Sequence, residues 1–317
     1  ILIISHQSNK SGAARFLLNV FSEIKKDPNV ELQFVLNQYQ ESASEFTDKF
    51  RTKYFILDRF KITRFFKYRV KLYNYLKTLW FRNIVKKFNP DLIYINTVGL
   101  NPLSKYVVEN NFKYILHVHE TDDSLIKSPN PKYIENLIKK AYLIIGCAKY
   151  VSQFIVSNYK VNNVKTIYEA ININRFKNNG PVSFRMANGF AGTDRIVGVT
   201  GAPQYRKGTD IFIRAAIRFN QRNTDNKFLF IWLGGTTESN NNKFYKGCMS
   251  LVRDSGFNNI ILRNQMDNVE DFYRALDLFV IPSREDPFPL SMLEAMYFKV
   301  PVIGSRVSGI PEALGDS

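Results

Sequence analysis

Two carboxylates, Asp286 and Glu294, stand in the segment DPFPLSMLE with seven residues between them. The first follows an apolar run, Leu278–Ile281, and the second falls inside a helical pattern. Acids at a turn and in the helix after it can face one crevice at the carboxyl end of a parallel sheet, where such folds hold ligands. A pair of fixed acceptors suits a polyhydroxylated ligand better than a phosphate. A carboxylate takes two hydroxyl hydrogen bonds as a fork, and charge-assisted bonds are the stronger kind. A second candidate is GAPQYRKG, residues 201–208, between an apolar run and a helical pattern that starts at Thr209. A helix N-terminus behind a Gly-bearing turn at Gly201 offers free N–H groups and the positive end of its dipole to an anion. Lys207, and Arg206 beside it, would add full charge where a departing diphosphate becomes more negative. The plainer readings are Asp286 as a helix cap, Glu294 as a surface acid, and 201–208 as a solvated basic turn. Glu285 competes with Asp286, although it would leave eight residues before Glu294.

The three histidines, His6, His117 and His119, fall at the ends of expected strands. In ILHVHE, residues 115–120, alternation puts His117 and His119 on one side. Paired histidines suggest a metal, but a third ligand and a bound water are not evident nearby. No D-x-D occurs anywhere in the chain, and no metal is expected. Gly12 lies in the loop between the first strand and a helix expected from Arg15, and a single glycine does not make a dinucleotide-binding fingerprint. Gly309, in SRVSGIPE, is small enough for the backbone to approach an anion closely.

The elements that must position these residues are short apolar runs alternating with longer helical patterns. Strands are expected at Ile1–Ser5, Glu31–Leu36, Lys53–Leu57, Leu92–Asn96, Lys113–His117, Leu143–Cys147 and Lys165–Ile167. After a polar interval they resume at Arg195–Thr200, Lys227–Leu233, Ile260–Arg263, Leu278–Ile281 and Val300–Ile303. Strands spaced by helices mean an α/β protein with parallel sheets. The interval Asn174–Asp194 reads as a linker. Two Rossmann-like, doubly wound domains facing a cleft are expected, residues 1–175 and 176–317.

The Asp286–Glu294 segment resembles the donor-binding signature of retaining glycosyltransferases of family 4, the nucleotide-sugar-dependent enzymes with the GT-B fold. Asp286-Pro287-Phe288-Pro289-Leu290 carries the aromatic two positions after the first acid, and Gly201 to Lys207 is similar to the family's phosphate loop. Ser308-Gly309-Ile310-Pro311-Glu312 resembles its G-G-x-P-E loop, with Ser308 at the first Gly. The likeness is specific over residues 195–314 and architectural before them, where Gly12 matches the first loop. It implies that Asp286 contacts the hydroxyls of a donor hexose, that Glu294 holds the nucleotide ribose, and that Lys207 neutralises the diphosphate. Ala202 stands where many members carry Arg, so Arg206 replaces that residue or it is absent. One histidine should face the donor sugar, His119 by position, with His117 as the fallback. The donor would be a nucleoside-diphosphate sugar, with no metal or other cofactor, and the residues before it (1–175) would hold the acceptor. Further helices should follow Glu312, so the second domain reads as truncated at its C-terminus.

The chain has 317 residues and a net charge of +16. Residues 49–87 hold thirteen Lys and Arg against one acid, Asp58, with aromatics interleaved. Read as a helix from Lys61 to Phe88, this stretch has an apolar stripe of Ile62, Phe66, Val70, Tyr73, Leu76, Trp80 and Ile84. Either its basic side is simply solvated, or it meets an anionic lipid leaflet or a lipid-linked or anionic glycan acceptor. Nucleic acid is not expected, because no recognition motif accompanies the charge. No apolar run is long enough to span a membrane. Two cysteines far apart, Cys147 and Cys248, suggest free thiols and a cytoplasmic location, at the inner face of the membrane if the basic stretch binds there. The chain opens on a strand with neither Met nor a signal pattern and looks trimmed there. The reading is a hexose-transferring enzyme of surface-polysaccharide or cell-envelope synthesis; the rivals are a catalytically silent sugar-binding or scaffolding homologue and a nucleic-acid-binding protein.

Overall fold

Each expected apolar run is a strand, with ends moved by at most three residues. The computed structural model describes residues 1–5, 12–37, 44–55, 70–99, 101–121, 125–176, 184–223, 227–235, 242–266 and 268–315. The first seven strands are β1 (Leu2–Ser5), β2 (Gln33–Leu36), β3 (Thr52–Tyr54), β4 (Ile93–Asn96), β5 (Tyr114–Val118), β6 (Leu143–Gly146) and β7 (Val164–Thr166). The other five are β8 (Arg195–Thr200), β9 (Phe228–Gly235), β10 (Ile260–Asn264), β11 (Leu278–Ile281) and β12 (Val302–Gly304). All pairings are parallel, in the orders β3-β2-β1-β4-β5-β6-β7 and β10-β9-β8-β11-β12. The chain divides into two compact units, Ile1–Ala170 and Ile171–Ser317, each built on one sheet.

Helices on both faces explain why the strands read as continuous apolar runs rather than alternating ones. All four residues of β1, β2 and β4 are buried. In the second unit, Phe230 and Trp232 of β9 pack with Val199, Phe212 and Tyr245 on one face. Their neighbours Ile231 and Leu233 pack with Phe272, Tyr273, Phe279 and Met292 on the other. Each sheet grows outward in both directions from a central pair, β1/β4 in the first and β8/β11 in the second. These are the switch points where the loops leaving the strands diverge and open a crevice.

Two expectations are corrected. The polar interval Asn174–Asp194 is not merely a linker: within it the Phe184–Ala187 helix belongs to the second core. Phe184 is buried and meets Phe272 edge-on at 5.1 Å, and Arg185 pairs with Asp277 at 2.8 Å. Residues 177–183 lie outside the described ones. In the basic stretch a helix runs from Val70 to Phe88, while 56–69 lie outside the description. Its buried line is Lys77, Phe81 and Val85, one position on from the expected Leu76, Trp80 and Ile84; Leu76 is 37% exposed. The turn of the helix is set by its neighbours: Phe81 meets Tyr106 edge-on, and Phe55 lies against Tyr73 and Trp80. Lys77 tolerates burial because its ammonium donates to the Asn37 carbonyl and to the Tyr73 hydroxyl. Among the described residues, no helix is long and apolar enough to cross a membrane.

Removing Phe81 leaves a cavity, so Phe81→Ala should cost about 3–5 kcal/mol. Leu76→Ala, at the half-exposed position, should cost less than about 1 kcal/mol. Urea unfolding of the two variants measures the difference, and equal losses would restore the stripe expected from sequence.

Candidate functional site

At the second switch point, the loops leaving β8 and β11 are packed together without room for a side chain. Gly208 caps the Thr209–Arg222 helix with φ 73°, and a Cβ there would lie 1.9 Å from the Pro282 carbonyl oxygen. Only glycine combines that left-handed backbone with that approach. The Arg206 carbonyl accepts the amides of Arg284 at 2.7 Å and Glu285 at 3.2 Å. Arg284 grips Asp210 with both terminal nitrogens at 2.7 Å, donates to the Tyr205 carbonyl, and lies 3.9 Å over the Tyr205 ring. Hydrogen bonds from Arg284 hold the Asp210 carboxyl below its ordinary range, against partial burial.

This splint brings Lys207 and Asp286 together. The Lys207 ammonium donates to Asp286 Oδ2, and the carboxylate side chain is 6% exposed against 22% for the lysine. Arg206 instead turns outward and donates to the Glu285 carbonyl at 3.3 Å. Gly201, with φ 139°, is tied by its amide to the Leu233 carbonyl, and its own carbonyl accepts the Trp232 indole N–H at 2.9 Å. Phe288 and Pro289 are buried, and Pro289 and Leu290 begin the Leu290–Tyr297 helix. Ser308 has φ 50°, the conformation a glycine would adopt most easily, and Gly309 is buried at the start of the Ile310–Leu314 helix.

Glu294 is 5% exposed, and Tyr273 and Arg175 are among its partners. Its Oε2 accepts the Tyr273 hydroxyl at 2.7 Å, and its Oε1 accepts the Arg175 guanidinium. The Tyr273 oxygen also meets the Thr200 hydroxyl, at the end of β8, at 2.8 Å. Burial and then the Glu294 charge raise the Tyr273 phenol well above its ordinary range, which keeps it a proton donor. Arg175 and Tyr273 were not singled out from sequence. Arg175 sits in a polar interval, on the three-residue turn Ile173–Arg175 capped by Asn172. Tyr273 reads as an ordinary core aromatic of the Val269–Ala275 helix.

His117 and His119 belong to the first unit, with ring centroids 4.0 Å apart on one side. His117 is fully buried against the Tyr94 hydroxyl at 2.5 Å, and burial followed by the neighbouring His119 drives its ring well below its ordinary range. His119 has both ring nitrogens engaged, Nδ1 with Glu169 Oε1 at 2.6 Å and Nε2 with Asn96 Oδ1 at 2.8 Å. Ligand atoms of His119, Cys147 and Glu169, the last two just after β6 and β7, all lie within 4.8 Å of one another, and His117 is not among them. Imidazole, thiol and carboxylate are donors zinc accepts; the 2.6 Å His119–Glu169 bond accounts for the approach of that pair by charge-assisted hydrogen bonding. Gly12 begins the Gly12–Ile24 helix, three residues before the expected start at Arg15; His6 and Asp58 lie outside the described residues.

The depressed Asp210 sets a sign for acid sensitivity. Its stabilisation is present above the unfolded carboxylate range and is lost as pH falls through the lower folded value. Asp210→Asn should cost about 1 kcal/mol at neutral pH and flatten the acid side of the thermal stability profile. An unchanged acid limb in that variant would remove Arg284–Asp210 as its source.

Residues 11–175 match the family described as Glycosyltransferase Family 4, and residues 194–317 the one described as Glycosyl transferases group 1. An uncharacterised glycosyltransferase of Methanocaldococcus jannaschii is 26% identical over 241 residues, 74% of this chain and 61% of that protein. The lipopolysaccharide core biosynthesis mannosyltransferase LpsB of Rhizobium meliloti is 31% identical over 132 residues, 40% of this chain and 36% of that protein. The chain thus spans less than two thirds of either relative's length. The crystal structure of Anabaena HepE in complex with UDP and glucose is similar in fold, with a TM-score of 0.76 at 18% identity, over 98% of this chain and 82% of that one. On the match across residues 11–175 and the shared architecture of two parallel α/β sheets, this chain belongs to glycosyltransferase family 4 and has the GT-B fold.

Proposed function

We propose that the protein transfers a hexose-type sugar, with retention, from a nucleoside diphosphate to an acceptor hydroxyl. The observation that carries this reading is the meeting of Lys207 with Asp286, and of Glu294 with Thr200 through Tyr273, at the ends of β8 and β11. Lys207 has three N–H donors, so it can keep one on Asp286 and turn the others to a diphosphate. Charge that grows on the leaving oxygen as the anomeric bond breaks is stabilised there without reorganising water. Arg206 would need to leave the Glu285 carbonyl to assist. Asp286 takes hexose hydroxyls and Glu294 the ribose, with Gly201, Phe288, Pro289, Leu290 and Gly309 shaping the walls. The acceptor oxygen attacks from the face the diphosphate leaves, and its proton passes to the departing phosphate oxygen. Within the first unit, His119 could offer a ring nitrogen to a hydroxyl only by giving up Glu169 or Asn96, because both nitrogens are engaged. No metal or other cofactor enters this scheme. The acceptor belongs with the first unit.

The acceptor class we infer is a lipid-linked or anionic glycan of cell-envelope or surface-polysaccharide synthesis, in line with the naming of LpsB. The Val70–Phe88 helix carries no acid, and it exposes Leu72, Tyr75 and Leu76 beside Lys71, Arg82, Lys86 and Lys87. Apolar anchors within a basic surface suit peripheral contact with an anionic leaflet.

Incubating the full-length protein with UDP-, GDP- and ADP-sugars should release the nucleoside diphosphate from one of them, with the anomeric configuration kept in the transferred sugar. Lys207→Ala should lower kcat about 10²–10³-fold. Full activity in that variant would overturn the assignment of Lys207. Ligand-induced thermal stabilisation without any turnover would identify a silent homologue.

A further inference from the structure

A carboxylate that grips the two neighbouring hydroxyls of a ribose needs acceptor capacity turned toward them. In this structure Glu294 is held at both oxygens, and the two holds are unlike. Tyr273, on Oε2, is fully buried and backed by Thr200, so that bond belongs to the core. Arg175, on Oε1, stands on a three-residue turn with 29% of its side chain exposed. Its guanidinium lies 4.6 Å over the Phe176 ring, which stacks on Tyr297 and meets Phe298 edge-on. An arginine seated for good on a carboxylate commonly uses two parallel N–H bonds. Here Nη2 reaches Oε1 while Nε is buried without a hydrogen-bond partner, so the contact is one-pointed.

We propose that Arg175 is a specificity-determining residue of the donor site: it occupies Glu294 Oε1 in the ligand-free protein and is displaced by the ribose hydroxyls of the donor. The inference rests on Glu294 being the ribose acceptor, as proposed above. Arg175 then sets how strongly the site favours nucleotides bearing 2′- and 3′-hydroxyls over anions without them. The Phe176 platform holds the displaced guanidinium beside the site, where it re-forms the contact once the nucleotide leaves.

The test is calorimetric titration at pH 8 with UDP, GDP and ADP, each beside its 2′,3′-dideoxy analogue, on the full-length protein. Arg175→Met removes the competing donor and keeps an aliphatic chain against Phe176. It should bind the ribose-bearing diphosphate about tenfold tighter than the unmodified protein, with the dideoxy analogue unchanged, as expected for loss of one hydrogen bond to a charged group. Arg175→Lys retains a single-point donor and should stay near the unmodified protein, which also guards against misfolding of the methionine variant. Weaker or unchanged binding of the ribose-bearing ligand, or equal changes for both members of a pair, would overturn the role of Arg175 alone. Failure of the unmodified protein to bind any of the six would remove the donor site and the inference with it.

Discussion

The site depends on a gap that accepts a hydrogen atom and excludes a methyl group. With Gly208 against the Pro282 carbonyl, the start of one helix and the exit of β11 are at backbone contact. The Arg206 carbonyl and the Arg284–Asp210 fork then fix the two loops in register. Lys207 and Asp286 are consequences of that register, because each follows immediately from a residue the splint immobilises. The Arg284 fork does no chemistry itself. It spends full charges on geometry, so that the neighbouring lysine and aspartate can stay a single pair with spare donors.

Charge in the ligand-free site is balanced internally. Lys207 neutralises Asp286, and Arg175 neutralises Glu294. Buried carboxylates without partners would be expensive, and the polyhydroxylated diphosphate proposed as donor would supply both kinds of replacement. Hydroxyls can take over from the cations on the acids, while phosphate takes over from the acids on the cations. Under that proposal the site would suit a ligand that carries both groups better than a sugar or a phosphate alone.

Much of this was legible in the chain itself. A parallel sheet covered on both faces writes its strands as compact apolar runs, so twelve of them could be placed to within three residues at each end. The placing of Asp286, Glu294 and Lys207 near the ends of β8 and β11 was legible because loops at a switch point follow strands directly, and residue type plus spacing survives there. What was hidden has a common cause. Arg175 reaches its partner across 119 positions, and Glu169 reaches His119 across 50. Neither acquires meaning until strands lay them side by side. The Val70–Phe88 helix failed differently: apolar periodicity fixed its existence but not its rotation, which Phe55 and Tyr106 decide from outside. The Phe184–Ala187 turn was obscured by the polar residues around it.

The Trp232 indole, hydrogen-bonded to the Gly201 carbonyl at the start of the 201–208 turn, has one further consequence. The chain has two tryptophans, and they fall one to each unit: Trp80 half-buried beside Phe55, Trp232 enclosed. Each half of the molecule thus carries its own intrinsic fluorophore in a different polarity. Shielding in the second half should blue-shift its emission relative to the first, so that the two halves can be told apart by colour as they melt.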